Sequence, residues 1–413
     1  MNHDSTAQDF TDQVARSLAD PEHLLALLGP RRAATLNNGL CGTALALAVL
    51  CGTDRLLARA ATRHWDIAVQ LLKNSAPDGI HRGPGALATS LVLAAPYLPA
   101  AHRRSEDADR AVHWLTARAH GLARYQHDRL QRGDHGTPWD VYDAIKGLAG
   151  IGGVLLGAAQ TGRHQAAEPG LTAALTTLTR MINTPAGPYP GWWLPQHDHH
   201  LATATPIPAT GAATTGLAHG IAGPLALLAL AAQHGHTVPG QRDAITTAAT
   251  WLLDTRSSTG NWSAHISGHH LRHPRTPLPD GPTRRDAWCY GNAGIGNALV
   301  HAGTATREPA FTRAGHTALA VIAAKPPHNW DTTGPGICHG TAGVLLTALA
   351  HQHRQLAHQA RDATTRHLNS PSNEPTDPDP GLLTGAAGTA LALNEPDHPA
   401  RGAPSWTALL LLA

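Results

Sequence analysis

Two cysteines and a histidine occupy matching places in this chain. Cys289 stands in AWCYGNAGI and Cys338 in GICHGTAGV, each two residues before a Gly-x-Ala-Gly, and His339 follows Cys338 directly. The chain holds only four cysteines, so the shared offset asks for a cause. Two thiolates and one imidazole suit zinc, and three protein donors leave the fourth tetrahedral position open, as in a catalytic site. Zinc held this way keeps an incoming thiol ionised near neutral pH, where a free thiol with a pKa of about 8.5 is mostly protonated. His219, in GLAHGIAG, falls in the same register and is a further candidate functional residue. Cys41 and Cys51 read as small buried residues. His197, Asp198, His199 and His200, and likewise His265, His269, His270 and His273, read as solvated loop residues of a histidine-rich chain.

The shared register comes from an internal repeat. Seven segments carry a marker glycine followed by an apolar, alanine-rich stretch, with markers at Gly42, Gly85, Gly150, Gly223, Gly294, Gly343 and Gly388. All but the second have a paired glycine three residues earlier; there Arg82 and Pro84 flank the start, which predicts a distorted entry. Each stretch after a marker is apolar nearly all round, the pattern of a helix buried on most sides. Between markers lie amphipathic stretches such as TDRLLARAATRHWDIAVQLLKN and EPAFTRAGHTALAVIAA, with apolar residues three and four apart. Each repeat therefore predicts one outer and one inner helix. Repeats that bury faces only against their neighbours form an open solenoid or a closed ring. The apolar last repeat, GLLTGAAGTALAL, favours the ring: an all-α, α/α toroid of seven hairpins, one domain over 1–413. Residues before the glycines then share one end of the ring. Residues 183–214, rich in Pro, Gly, Thr and Trp, predict an irregular or β-containing insert on the rim. Ser257–Arg285 is a second breaker-rich stretch, and Ser370–Pro380 reads as a surface loop.

Composition narrows the function. The formal net charge is +2 and 15% of residues are charged, which offers no nucleic-acid footprint. No apolar run approaches a membrane span, the final LLLLA included. The polar, acidic start lacks a signal-peptide pattern. The expectation is a cytoplasmic protein without membrane insertion, at most peripheral to the membrane through partners.

The motifs GLAHGIAGPLALLAL, RRDAWCYGNAGIGNAL and GICHGTAGVLL, with YDAIKGLAGIGGVLL and the PGWWLP insert before the histidine motif, resemble the LanC lanthipeptide cyclases. The resemblance runs from the first glycine repeat to the last. It implies an α/α toroid with a small insert and a zinc ion at its mouth, held by Cys289, Cys338 and His339. It implies Michael-type addition of peptide cysteine thiols to dehydroalanine or dehydrobutyrine, giving lanthionine or methyllanthionine rings. It maps acid/base roles to His219 and Asp143, with Asp140 as a competitor for the aspartate, and an arginine role to Arg285, which is expected to pair with Asp143. The implied partners are a dehydrated precursor peptide, and a dehydratase and exporter in a biosynthetic complex. No kinase or dehydratase region accompanies the motifs, so a free-standing cyclase is expected.

Other classes stay open at the level of sequence. A prenyltransferase-like α/α barrel needs an aromatic lipid cavity, and this chain has two phenylalanines. A toroidal glycosidase needs paired carboxylates where this chain offers cysteines. A zinc-bearing scaffold that binds the precursor peptide, or intermolecular addition of a thiol such as glutathione, would preserve the same residues.

Overall fold

The computed structural model describes residues 3–73, 75–199, 206–274, 285–368, 379–397 and 405–413. His200, most of the Ser370–Pro380 stretch and part of both breaker-rich stretches lie outside these residues. The chain forms two compact units. One comprises Met1–Leu115, Val154–Ala167 and Thr332–Leu409; the other comprises Thr116–Gly153, Glu168–Asp331 and Leu410–Ala413.

In the first unit the alternation of helices follows the repeat. The outer helix Arg55–Leu72 starts at Asp54, whose carboxylate accepts from Leu56 N at 2.7 Å, the usual N-cap arrangement. It buries Ala58, Ala61, Trp65, Ala68 and Leu72, a three- and four-residue spacing that makes one stripe. The inner helix Leu40–Leu50 has no such stripe, because residues Leu40 through Ala48 are all buried. Pro84 sits in the first turn of Gly83–Ala94, where a missing N–H costs nothing, and the expected distortion of the entry appears at Gly83, which takes φ +61°. Thr341–Ala350 and Ala386–Asn394 are the inner helices of the last two repeats.

Among the described residues no outer α-helix follows the last repeat's inner helix. That inner helix, Ala386–Asn394, packs instead on His3–Ser17 and on Leu40–Leu50. The first helix thus supplies the missing outer partner, and the first and last repeats are neighbours. A Pro-interrupted helix, Pro21–Ala33, intervenes between that partner and the first repeat. Trp406 seals the same unit: its Nε1 donates to Glu395 at 3.0 Å, and its backbone N donates to Tyr97 Oη at 3.0 Å.

The second unit contains the inner helices Ala222–Gln233 and Asn292–Thr306, packed on each other, with outer helices Gln241–Asp254 and Pro309–Ala323. Close approach needs Gly294: a Cβ there would meet the Leu217 side chain at 2.8 Å. Leu410 and Leu411 belong to this unit and are buried; their carbonyls accept from Trp288 Nε1 at 2.9 Å and Asn297 Nδ2 at 2.8 Å. The final leucines are therefore core residues of a folded segment. Among the described residues no helix is long and apolar enough to cross a membrane.

The insert carries a small antiparallel sheet in the order β1 (Trp193–Leu194), β2 (Ala212–Thr214), β3 (His265–Ser267). The first two strands fall within 183–214, as expected for a β-containing insert. The third comes from the second breaker-rich stretch, which the sequence pattern leaves unassigned. His199 corrects the solvated-loop reading: it is buried, and its Nε2 lies 3.2 Å from both Leu194 O and Ala212 O. His265 is half-buried on β3, where burial pushes its pKa down. His197 is exposed, as expected.

Candidate active site

His219 is built into the second unit by the turn between β2 and the inner helix Ala222–Gln233. Thr214, the last residue of β2, donates from Oγ1 to His219 O at 2.8 Å, and Tyr142 Oη donates to the same carbonyl at 3.2 Å. Leu217 N and Ala218 N both donate to Cys289 O, at 3.0 and 3.1 Å. The histidine turn and the cysteine turn are thus tied backbone to backbone.

The imidazole is fixed on two further sides. Nδ1 donates to Asp143 Oδ2 at 2.6 Å. Trp139 stacks on the ring, with centroids 5.4 Å apart and planes at 23°. Asp143 itself is buried at 1% exposure, directly after the short helix Trp139–Tyr142. Its other oxygen, Oδ1, accepts from the backbone N–H groups of Ile145, Lys146 and Gly147 at 3.0, 2.6 and 2.9 Å. A carboxylate so engaged cannot rotate, and it presents Oδ2 to His219 alone. Burial pulls the His219 pKa down, but the hydrogen bond and charge of Asp143, with the charge of Cys289, outweigh it and hold the pKa above the usual histidine value. Asp140 points elsewhere: it is half-exposed and pairs with Lys146 at 3.8 Å.

Cys289 lies 7% exposed, just before the inner helix Asn292–Thr306. The turn depends on Gly291, which has φ +92°, and a Cβ there would collide with Arg285 O. Gly291→Ala should cost several kcal/mol, the sum of about 1–3 kcal/mol of backbone strain and the displacement of Arg285; chemical denaturation checks this. Asn292 N donates to Arg285 O at 3.1 Å, so Arg285 also helps cap that helix. Its guanidinium acts on Asp331, where it opposes the burial that pushes that carboxyl up. The Asp143 oxygens are engaged by His219 and backbone amides instead of the expected arginine pair. Asp286 anchors the same loop by accepting from Lys325 Nζ at 2.6 Å and from Asp331 N at 3.1 Å.

In the first unit Cys338 and His339 occupy the matching turn before Thr341–Ala350. Cys338 N donates to Leu383 O at 2.8 Å, and Thr333 N donates to His339 O at 2.7 Å. Cys338 and His339 are both half-buried. Each cysteine precedes a helix N-terminus, whose dipole favours thiolate over thiol. Cys41 differs: it lies inside the first turn of Leu40–Leu50, and full burial pushes its thiol up to about 12, which leaves it inert.

Sequence reasoning missed Trp139, Tyr142 and Thr214. The signal available was the aromatic pair in PWDVYD, spaced around a single helical turn before Asp143.

Comparison with known proteins places this geometry. The family model described as "Lanthionine synthetase C-like protein" matches residues 32–411. Among solved structures the chain is similar to "Nisin cyclase", with a TM-score of 0.77 and 18% identity, over 98% of this chain and 96% of that one. At that identity the likeness shows the fold: a helical toroid with a small three-stranded insert. No curated protein sequence matches the chain.

Proposed function

The chain belongs to the lanthionine synthetase C-like family, and from that premise we propose that it is a zinc-dependent cyclase that forms thioether rings in a dehydrated precursor peptide. The observation that carries the proposal is the His219–Asp143 pair, built in the same turn system as Cys289. What supports the metal is the chemistry of the donors: Cys289, Cys338 and His339 offer two thiols and an imidazole, each in a turn before an inner helix. Three donors of this kind fit zinc with one position open, and zinc there would lower the pKa of an incoming thiol.

The chain's own residues handle the rest. In the addition, thiolate sulfur bonds to the β-carbon of the dehydro residue. The π pair moves toward the α-carbon and its carbonyl, and the α-carbon must then gain a proton. His219, with its pKa held up by Asp143, is the donor of that proton and recovers one from the next thiol. Asp143 fixes the ring orientation and stabilises the imidazolium. Trp139 covers one ring face and keeps water from it. Arg285 supplies positive charge toward the developing enolate.

The direct test is to incubate zinc-loaded protein with a dehydrated, cysteine-containing precursor peptide. Cyclisation leaves the mass unchanged, so free thiols are counted by alkylation. Loss of alkylatable thiol without a gain in mass supports ring formation. Full alkylation after incubation sinks the reading, and a mass gain equal to an added small thiol would replace it with intermolecular addition.

A further inference from the structure

Within the first unit the turns before four inner helices form a row. Cys338 bonds to Leu383 beside it, Asn38 Nδ2 donates to Thr384 Oγ1 and Asp379 Oδ2 at 3.1 Å each, and Leu36 N donates to His81 O at 2.9 Å. The row thus runs from His339 past Thr384 and Asn38 to Arg82, all in the register that precedes an inner helix. Beyond Asn38 it opens into a cavity of about 550 Å³, with Leu71 and Leu72 in its wall. Arg31, Arg32 and Arg82 stand around it. Arg32 lies 4.0 Å from Asp379, and among the described lining residues Asp78 is the one carboxylate. Arg31 and Arg82 are exposed and have no ion-pair partner among the described residues.

We propose that this arginine-lined cavity docks an acidic stretch of the peptide being cyclised, a proposal that rests on the cyclase reading. Guanidinium groups match carboxylates in shape and charge. The cavity size suits a few side chains. Its position at the same end of the helices as Cys338 and His339 favours a peptide over a free anion. A peptide that fills the cavity can lie along the row and bring a later residue to His339. Three helix-to-helix steps of about 8–10 Å are spanned by about seven to nine extended residues. The docking carboxylates therefore sit about that far along the peptide from the reacting cysteine.

The test uses the full, zinc-loaded chain and two labelled peptides, followed by fluorescence anisotropy. One peptide carries an Asp–Glu pair about eight residues from its single cysteine, and the other carries Asn–Gln there. The acidic peptide should bind wild type about tenfold more tightly, by an amount that shrinks with salt. The combined variant Arg31→Glu, Arg82→Glu should erase the difference, with unfolding temperature and zinc content unchanged. Equal binding of the two peptides to wild type overturns the proposal, as does a difference that survives in the variant. Inorganic phosphate is the control: if the variant loses phosphate binding while the two peptides bind wild type alike, the cavity is a simple anion site. Ring formation on a short peptide lacking the acidic pair is scored separately by thiol alkylation. Its failure in wild type strikes the cyclase reading, whereas a missing peptide difference strikes only the docking site.

Discussion

Asp143→Asn is expected to lower the rate of ring formation by about a hundredfold to ten-thousandfold, the range over which positioned acid/base groups act, while the protein stays folded. The amide oxygen of asparagine can still accept the three backbone N–H bonds now made to Oδ1. What disappears is the negative partner 2.6 Å from His219 Nδ1. The asparagine NH₂ cannot accept from that nitrogen, so the imidazole is forced into the other tautomer and loses its stabilised cation. The pH profile should report this. Activity that requires the imidazolium is present at low pH and lost as pH rises through the His219 pKa, which the wild-type site holds above the usual value. In the variant burial acts without Asp143, and the alkaline limb moves to lower pH. The linked stability has the same sign. A raised folded-state pKa stabilises the protein fully below the unfolded-state value of about 6.5 and ceases to do so above the folded one. An unshifted alkaline limb would show that His219 is not the titrating donor. A variant of Asp140, which pairs with Lys146 at the surface, should leave the limb in place.

Cys338→Ala should abolish both stoichiometric zinc and ring formation, and Cys289→Ala should do the same. Removing one of three protein donors leaves two, too few for a site that must also keep a position for substrate. Metal content measured after dialysis is the primary readout, because it does not depend on having the right precursor peptide. Cys41→Ala serves as the control, since its thiol is buried and protonated. Zinc retained at full occupancy in either ligand variant would refute the donor set. His219→Ala separates the two roles: it should keep zinc and lose ring formation.

The repeat made the site register legible before any coordinates. Paired glycines fix where each inner helix begins, so Cys289, Cys338 and His219 could be aligned by counting. The choice between Asp140 and Asp143 could not be made that way. Asp140 lies within one short helical turn and Asp143 directly follows it, and only the stop of that turn at Tyr142 sends Asp143 inward and leaves Asp140 at the surface. The insert was harder. Strands of two or three residues carry no usable periodicity, and β3 pairs with β2 across about fifty residues of chain, far beyond the few that join a common hairpin. His199 resembled its exposed neighbours because burial of one histidine in a polar run depends on two strand carbonyls brought together by folding. Arg285 was placed by motif alone. Its backbone role at the helix start, imposed by the positive φ of Gly291, is invisible in a residue type.

The pairing of His3–Ser17 with Ala386–Asn394 sets a kinetic demand. Most repeats join an inner helix to an outer helix a few turns along the chain, and such local contacts form early. This pair closes a loop of nearly the whole sequence, and its entropy cost falls due before any contact rewards it. Folding of the first unit should therefore end at this seam, with the apolar face of Ala386–Asn394 waiting for a helix made long before. Contact order, and not the number of repeats, is what slows such a chain. Until the seam shuts, the Asn38–Thr384 contact is missing. Competence to receive a substrate would then lag behind the acquisition of helix.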